Sequence, residues 1–445
     1  MVLLLAFTIL VLCARSRNKD TDIVISPPLS PVLIVGIDGA TFDLIDSLIS
    51  HGQLTTLSRL METGVSCPLK TLKPTLSPAI WTSIATGKLP KDHGILGFDG
   101  VPGHTMHMLP TSQMRKVRAF WNILSEYGRS VGVIGWWATW PAEHVNGYIV
   151  SDRATYTRME ATIGKEENIP FEVYPETLAS EIAEHIYAPM DVGPSEFQSI
   201  MSVSDHEAEM LSKITHYKHG RFIPEFRYTY QSDRSISAIS EHLMQTHETD
   251  VTAIAFYGVD VMSHLTWHFM EPEQFPRFAI PDKNIRRFGG TIPSYYAFVD
   301  SLLGSLLSHA PANATVMVLS DHGFGPTGNL PWSGGHGKIT PGAPIAPDGI
   351  LIISGQAIRK GDTIKPAHVT DILPTLLYLQ GFPIAKDLKG RVLRDAFRPD
   401  VFEDHPIRWI DSYEVTPRSD VWDSLLVDDT IDQHTIEKLK SLGYL

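Results

Sequence analysis

The chain has 445 residues, of which 43% are hydrophobic and 20% are charged, a composition typical of a globular protein with a large core. Its formal net charge of −13 argues against a nucleic-acid scaffold, because such proteins usually carry a basic face. The charge is compatible with a small phosphorylated substrate, since bound metal ions can reverse the local field. The two cysteines, Cys13 and Cys67, exclude a disulfide framework and disfavour both a cysteine-based zinc site and a thiol nucleophile.

Residues 1–20 form an apolar leader in which Arg15, Arg17 and Lys19 follow the apolar run. The run is shorter than the roughly 20 residues that a membrane-spanning helix needs. It resembles the apolar part of a signal peptide, although no Lys or Arg precedes it. We therefore expect an exported, periplasmic or otherwise extracytoplasmic protein, which this segment could also hold at a membrane. The alternative is a mis-chosen start codon and a cytoplasmic protein.

Strand-like and helix-like segments alternate through residues 30–152 and again through residues 249–390. Short apolar runs predict strands at residues 32–37, 130–134, 147–151, 251–257, 315–319 and 349–353. Helical spacing and stop signals predict helices that include residues 115–127, 294–307 and 368–379. Repeated βα units of this kind predict an α/β fold with a doubly wound, mostly parallel sheet that is flanked by helices.

The region between these two blocks has a different character. Residues 153–248 are charged and helical in pattern, contain Met and His, and show no convincing strand. We therefore expect a catalytic core formed by residues 30–152 and 249–390, with residues 153–248 inserted into it as a mainly helical cap. Residues 391–445 are a polar C-terminal extension, for which the sequence predicts no role.

Three aspartates, Asp38, Asp260 and Asp321, stand where predicted strands end. In open α/β sheets, ligands gather beyond the carboxyl ends of the strands, so these side chains can converge on one crevice. Three unpaired carboxylates would repel one another, and we therefore expect a bound cation among them. The sequence thus predicts a metal-dependent hydrolase.

Histidines accompany these aspartates. His264 follows Asp260 by four residues, which places both on one face of a helix or tight turn, and His322 follows Asp321 directly. His336 lies between glycines in a loop that could close the site. Carboxylate oxygens combined with imidazole nitrogens suit Zn²⁺, Mn²⁺ or Fe. Each motif alone also fits a surface pair, a turn or a solvated loop, so it is their joint position that favours a metal site.

Ser77 is the candidate nucleophile. It precedes Pro78, a pair that predicts the start of a helix that continues to Thr86. A hydroxyl at a helix N-terminus meets the positive end of the helix dipole and free backbone N–H groups, which favour alkoxide character and bind a phosphoryl oxygen. Metal coordination would activate this hydroxyl without a general-base histidine. The alternative is a serine that only caps the helix.

Together these segments resemble the type I phosphodiesterase and nucleotide pyrophosphatase family of the alkaline phosphatase superfamily. The resemblance extends over most of residues 30–385 and is carried by residues 36–40, 77–78, 86–95, 260–264, 320–323 and 335–337. Residues 371–377 also resemble the last core helix of that family. The resemblance implies an alkaline phosphatase-like fold and the hydrolysis of phosphoric esters.

The resemblance also implies a site with two divalent metal ions, usually zinc. One ion would be held by Asp260, His264 and His336, and the other by four residues: Asp38, Ser77, Asp321 and His322. Ser77 would attack phosphorus in line and form a phosphoserine intermediate that water then hydrolyses, while the two ions clamp the attacking and leaving oxygens. His93 lies in a His-Gly-Ile turn of the family and is interpreted as structural.

Some positions depart from the family patterns. Nucleotide pyrophosphatases commonly have Thr as the nucleophile and Asn three residues later, where this chain has Ser77 and Ile80. This weakens the case for a nucleotide substrate. Sulfatase relatives need Cys or Ser followed two residues later by Pro and then Arg, and residues 77–81 lack that pattern, so a sulfatase is not expected.

We expect hydrolysis of a phosphodiester or pyrophosphate in preference to a monoester. Three alternatives use the same scaffold: a phosphomonoesterase, a phosphonate-type hydrolase and a non-catalytic binding protein. The sequence predicts neither the physiological substrate nor the oligomeric state.

Overall fold

The computed structural model describes residues 23–98, 109–155, 172–214, 222–276, 279–326 and 346–414. Two of the sequence predictions, the leader at residues 1–20 and the metal ligand His336, lie outside these residues. In the part of the chain that the structure describes, no helix has the length and apolar character needed to cross a bilayer.

One large mixed sheet organises the fold. Its strands are β1 (Val32–Ile37), β2 (Gly64–Lys70), β3 (Val131–Ile134), β4 (Gly147–Val150), β5 (Val173–Tyr174), β6 (Val251–Phe256), β7 (Thr315–Leu319), β8 (Gly349–Ser354), β9 (Asp362–Thr363) and β10 (Ala367–His368). Their order is β10-β2-β8-β7-β1-β6-β3-β4-β5, and β9 also pairs with β2. Strand β8 is antiparallel to β2 and β7, β5 is antiparallel to β4, and the other pairs in this sheet are parallel. The predicted mostly parallel sheet is therefore confirmed.

Helices cover both faces of this sheet. They are α1 (Phe42–Ser50), α2 (Thr55–Thr63), α3 (Ser77–Thr86), α4 (Pro90–His93), α5 (Phe120–Glu126), α6 (Leu178–Ile182), α7 (Pro194–Ile200), α8 (Asp205–Ser212), α9 (Phe222–Thr246), α10 (Gly258–Met270), α11 (Asp282–Phe288), α12 (Thr291–His309), α13 (Ile372–Leu379) and α14 (Val401–Asp404). A separate two-stranded sheet joins β11 (Ile384–Ala385) to β12 (Trp409–Ile410).

Alternate residues of the central strands are buried on opposite faces of the sheet, because successive side chains of a strand point in opposite directions. In β1, Leu33 and Val35 belong to one apolar cluster, whereas Val32 and Ile34 belong to the other. The first cluster also contains residues of α1, α2, α9, α10 and α12, and the second contains residues of α3, α5 and α13. The central strands are therefore buried on both sides, which explains why they read as continuous apolar runs.

Two predicted helices begin later than expected, and some strands were not predicted. The helix predicted from residue 368 begins at Ile372, because β10 and one turn of 3-10 helix (Val369–Asp371) occupy residues 367–371. The helix predicted at residues 115–127 begins only at Phe120, because the Asn122 side chain accepts a hydrogen bond from the Ala119 N–H (2.9 Å) and fixes the helix start there. Strand β2 was not predicted, since its sequence includes Gly, Ser and Pro and its pairing with β8 is not a local signal. The short strand β5 lies in the region predicted to lack strands.

Helix α9 lies within the segment predicted as a cap, and it packs on the sheet. Its residues Phe226, Ile236, Ile239 and Leu243 belong to the same apolar cluster as the β1 side chains. The described part of the C-terminal extension also packs on the core, through Phe397, Val401 and Tyr413 among others. The division of the chain into core, cap and extension stays a prediction.

His93 is a buried structural residue at the end of α4, behind the helix that begins at Ser77. Its Nδ1 accepts a hydrogen bond from the Ile95 N–H (3.2 Å), so Nε2 carries the proton and donates to Ser83 Oγ (2.9 Å). Burial lowers the pKa of His93 to about 4, from an ordinary value of 6.5. The protein therefore holds this imidazole neutral.

The low pKa of His93 predicts a specific loss of stability in acid. Because the folded-state pKa lies below the unfolded value, this contribution is complete above pH 6.5 and is lost as the pH falls from 6.5 to 4. The loss should reach about 3 kcal/mol. Urea unfolding of His93→Gln at several pH values should show a shallower decline over this range than the parent. His51→Gln, which changes an exposed histidine, should keep the parental slope; an equal slope in His93→Gln would contradict the assignment.

Candidate active site

The sheet register brings the candidate residues to one edge. Strand β1 lies between β6 and β7, both parallel to it, with Ile37 opposite Phe256 and Gly36 opposite Leu319. The three strands therefore end at the same level, and Asp38 N–H continues the ladder by donating to the Phe256 carbonyl (2.9 Å). The segments that carry Asp38, Asp260 and Asp321 all leave the sheet at this edge, as the sequence predicted.

Four of the predicted site residues lie in direct contact. Ligand-type atoms of Asp38, Asp321 and His322 all lie within 4.8 Å of one another. His322 Nε2 is 3.3 Å from Asp38 Oδ1, 3.4 Å from Asp321 Oδ2 and 3.2 Å from Ser77 Oγ. Since the Gly323 carbonyl can only accept, His322 Nδ1 carries a proton and donates to it (2.9 Å). The Nε2 atom is thereby presented to the cluster.

The carboxylates of this cluster are buried and poorly satisfied. Asp38 is 2% exposed and Asp321 is fully buried. Within the described residues, Asp38 Oδ1 and both oxygens of Asp321 lack a well-formed hydrogen bond, and His322 Nε2 approaches Asp38 Oδ1 and Asp321 Oδ2 only to 3.3 and 3.4 Å. A buried carboxylate oxygen without a donor is costly, and a cation satisfies several such oxygens at once. The donor set of two carboxylates, one imidazole and one hydroxyl therefore fits a divalent metal ion.

The pKa shifts show the same imbalance of charge. Burial, followed by the charge of Asp38 and Asp260, raises the pKa of Asp321 well above its ordinary value of 3.8, against the opposing effect of His322. Burial would lower the pKa of His322, but the carboxylates of Asp321, Asp38 and Asp260 outweigh it and raise the pKa to about 10. Three neighbouring carboxylates thus act on the His322 imidazole.

The structure excludes the helix-cap interpretation of Ser77. Helix α3 begins at Ser77, Leu76 occupies the N-cap position, and no side chain caps the helix. The Ser77 side chain is 2% exposed, and its Oγ contacts His322. Ser77 is therefore not the helix cap, and its hydroxyl lies among the candidate metal ligands.

Asp260 and His264 form the second part of the site. Both lie on α10, with His264 Nε2 3.6 Å from Asp260 Oδ2, so the predicted common helix face is confirmed. Asp260 packs closely on the turn that follows β1: a Cβ atom at Gly39 would lie 2.9 Å from Asp260 Cα and 3.0 Å from its Oδ1. Gly39 also has a φ of +72°, which favours glycine. Its missing side chain lets Asp260 approach Asp38.

His264 lies one helical turn beyond Asp260. Its ring makes an edge contact with Phe324, with ring centroids 4.9 Å apart, and Phe324 follows the Asp321-His322 pair by two residues. The structure thus brings together Asp38, Ser77, Asp321 and His322, and it places Asp260 and His264 beside them. His336 is outside the described residues, and its role as a ligand stays a prediction.

Trp81 is a site residue that the sequence interpretation missed. Its indole Nε1 donates to Asp38 Oδ2 (3.0 Å), and its ring lies against β1 where a Cβ at Gly36 would come within 2.4 Å of it. Because Trp81 follows Ser77 by four residues, both lie on one face of α3. That spacing was the available signal, although an apolar helix face explains a Trp equally well.

Ser320 was also missed as a structural link in the site. Its Oγ donates to the His322 carbonyl (2.6 Å) and accepts from the Ala40 N–H (3.0 Å). The loops that follow β1 and β7 are therefore tied to each other behind the cluster. This link holds Asp38 and His322 at a fixed separation.

The fold is a mostly parallel α/β sheet flanked by helices, and a family match makes the chain a phosphoric ester hydrolase. The family described as type I phosphodiesterase / nucleotide pyrophosphatase matches residues 32–333, which is more than half of the chain. The chain belongs to this family. No curated protein sequence matches it closely enough to count as a relative.

Solved structures resemble the chain at low sequence identity. A 2-O GAG sulfatase matches with a TM-score of 0.50 at 14% identity, over 83% of this chain and 73% of that one. Murine ectonucleotide pyrophosphatase / phosphodiesterase 5 matches with a TM-score of 0.47 at 14% identity, over 83% of this chain and 100% of that one. Phosphonoacetate hydrolase from Sinorhizobium meliloti 1021 matches with a TM-score of 0.39 at 18% identity, over 68% and 60%. At these identities the likeness to the sulfatase shows the fold alone.

The close approach at Gly39 predicts that a single methyl group disrupts the site. Gly39→Ala should push Asp260 away from Asp38, because the new Cβ would overlap the Asp260 backbone and side chain. We expect zinc affinity, measured by calorimetric titration of chelator-treated protein, to fall by about tenfold or more.

Gly52→Ala is the matched control for this variant. Gly52 has nearly the same φ, +71°, but a Cβ there would have no atom within 4 Å. Both variants carry the backbone strain of about 1 kcal/mol, and only Gly39→Ala carries the clash. Parental zinc affinity in both variants would show that Asp260 does not depend on Gly39.

Proposed function

We propose that this chain is a metal-dependent hydrolase of phosphodiester or pyrophosphate bonds, with Ser77 as its nucleophile. One observation carries the proposal: Ser77 Oγ lies in the same buried cluster as Asp38, Asp321 and His322, 3.2 Å from the His322 Nε2 atom. A serine that only caps a helix would not require carboxylates and an imidazole around its hydroxyl. A nucleophilic hydroxyl that a bound cation activates would require them.

The residues that would hold metal ions fall into two sets. Asp38, Asp321, His322 and the Ser77 hydroxyl form the first, and Asp260 and His264 contribute to the second, together with His336 as the sequence predicts. When bound, divalent ions supply positive charge that polarises phosphoryl oxygens and activates oxygen nucleophiles. Zinc is the proposed metal, because carboxylate and imidazole ligands suit it; Mn²⁺ and Fe use the same donors.

The protein's own contribution is to hold the nucleophile in place. Ser77 is fixed by the first turn of α3, and Trp81 on the same helix face fixes Asp38 through its indole N–H. Ser77 Oγ would form a bond to phosphorus as the bond to the leaving oxygen breaks, and the Ser77 proton would balance the one taken up by the departing alcohol or phosphate. Water would then cleave the phosphoryl ester on Ser77, which still carries the rest of the substrate; this releases a phosphomonoester and returns a proton to the Ser77 oxygen. Holding the reacting atoms in one orientation removes much of the entropic barrier.

The preference for diesters is part of the proposal and rests on the family match. A nucleotide substrate is not proposed, since Ile80 stands where nucleotide pyrophosphatases commonly have an amide side chain. Turnover of a monoester in place of a diester would identify a phosphatase on the same scaffold.

Removal of the Ser77 hydroxyl should abolish turnover without unfolding the protein. With added Zn²⁺ or Mn²⁺, the parent should hydrolyse bis-p-nitrophenyl phosphate faster than p-nitrophenyl phosphate. Ser77→Ala should lose at least about a thousandfold in kcat/KM, because no other hydroxyl replaces the nucleophile. Ser83→Ala makes the same change on the same helix, away from the cluster, and should retain most of the activity.

Two results would contradict the proposal. Equal turnover by Ser77→Ala and the parent would show that Ser77 is not the nucleophile. A parent that binds metal but hydrolyses neither ester, nor a pyrophosphate such as bis-p-nitrophenyl pyrophosphate, would favour the non-catalytic binding protein.

A further inference from the structure

The helix that carries Asp260 and His264 begins without a cap of its own. Helix α10 starts at Gly258, just after β6, and the side chain of Tyr257 at its N-cap position does not cap the helix. The first turn of a helix leaves backbone N–H groups without partners, and an uncapped first turn frays. Asp260 lies within this first turn, so any fraying would move a candidate metal ligand directly.

Asp233, from the middle of α9, supplies the missing cap. Its Oδ1 accepts the Tyr257 N–H (3.2 Å), and its Oδ2 accepts the Gly258 N–H (3.1 Å). Asp233 is 1% exposed, and the helix dipole favours a carboxylate at this position. Asp233 and Gly258 are 25 residues apart in the sequence, so this cap comes from a different helix.

Tyr295 of α12 completes the arrangement. Its hydroxyl donates to Asp233 Oδ2 (2.9 Å), and burial together with the charge of Asp233 raises the pKa of Tyr295 well above 10, which keeps the proton on the donor. The fit around Gly258 leaves no space: a Cβ there would lie 2.0 Å from Tyr295 Oη and 2.4 Å from Asp233 Oδ2. Three helices therefore meet at the first turn of α10.

We propose that Asp233 is a positioning residue for the Asp260–His264 half of the site. It fixes the first turn of α10 and thereby the place of Asp260 beside Asp38. The consequence for metal binding rests on the proposed function. The placement of the helix turn does not, and it can be measured in metal-free protein.

Asp233→Asn tests this role with a side chain of the same size. The amide keeps one acceptor oxygen but turns an N–H₂ group towards a backbone N–H, so one of the two caps is lost. In metal-free protein, hydrogen exchange of the backbone amides at residues 258–264 should accelerate about tenfold or more, while exchange in β1 and β7 stays parental. In calorimetric titration with zinc alone, one of the two binding events should weaken by about 10- to 100-fold.

Asp300→Asn is the matched control. Asp300 is also buried, at 4% exposure, and caps another helix from outside by accepting the Thr56 N–H (3.0 Å) and the Leu57 N–H (2.8 Å). That helix, α2, carries no candidate site residue. Asp300→Asn should therefore loosen α2 and leave both zinc-binding events unchanged. Tyr295→Phe removes the hydroxyl that donates to Asp233 and leaves both backbone contacts in place. It should change exchange and affinity in the same direction as Asp233→Asn by a few-fold, and it serves if Asp233→Asn does not fold.

The outcomes separate the two proposals. Parental exchange at residues 258–264 in Asp233→Asn and Tyr295→Phe would overturn the positioning role, even if the parent binds two zinc ions. Accelerated exchange with unchanged zinc affinity would also overturn it, since Asp233 would then be a structural cap only. If exchange accelerates in Asp233→Asn but the parent protein binds neither zinc nor manganese, the capping of α10 by Asp233 would be supported. The proposed function and the role of Asp233 in positioning a metal ligand would both be overturned.

Discussion

Buried carboxylates with poorly formed hydrogen bonds are the constraint on which the rest of this structure depends. Asp38 and Asp321 are removed from water at the carboxyl edge of the sheet, Asp260 lies beside them, and all three carboxylates act on the His322 imidazole. Burying this much like charge is unfavourable without a counter-charge. The surrounding structure nevertheless forces the groups together, through a glycine at position 39 and the Ser320 link between two loops. Carboxylates that repel one another but are held close together by the surrounding structure are what a preorganised cation site requires.

The central sheet was predictable from the sequence because its strands are buried on both faces. Strands β1, β6 and β7 read as unbroken apolar runs, and their predicted bounds agree with the structure within a residue or two. Strand β2 was not predictable in this way, since Gly64, Ser66 and Pro68 disfavour a strand and the antiparallel pairing with β8 supplies the stabilising hydrogen bonds. The predicted start of α5 was too early. The Ala119 N–H donates a hydrogen bond to the Asn122 side chain, and this bond begins the helix after Ala119 despite the helical spacing of the residues before it. Tertiary pairing and capping explain these differences.

The sequence predicted the candidate ligands that the structure brings together, but not the residues that support them. Asp38, Asp260, Asp321 and His322 could be found because strand ends converge in an open α/β sheet, and Ser77 because Ser-Pro marks a helix start. Gly39 makes room for Asp260, a contact that the sequence alone does not show. Trp81 acts through a hydrogen bond to Asp38, and Asp233 acts through hydrogen bonds from the Tyr257 and Gly258 N–H groups. These partners lie far away in the sequence, which does not reveal which carboxylate or helix end a side chain will reach. These supporting contacts form only in the folded protein, where residues that are far apart in the sequence come together.

The central claim is that the buried cluster exists to hold metal ions, and anomalous diffraction at the zinc absorption edge tests it most directly. Crystals of protein supplied with zinc should show one strong peak bonded to Asp38, Asp321, His322 and Ser77 Oγ. A second peak should lie against Asp260 and His264, within the few ångströms typical of two-metal sites. Zinc found only on exposed histidines, with Asp321 instead contacted by donors from the protein or from water, would contradict the account.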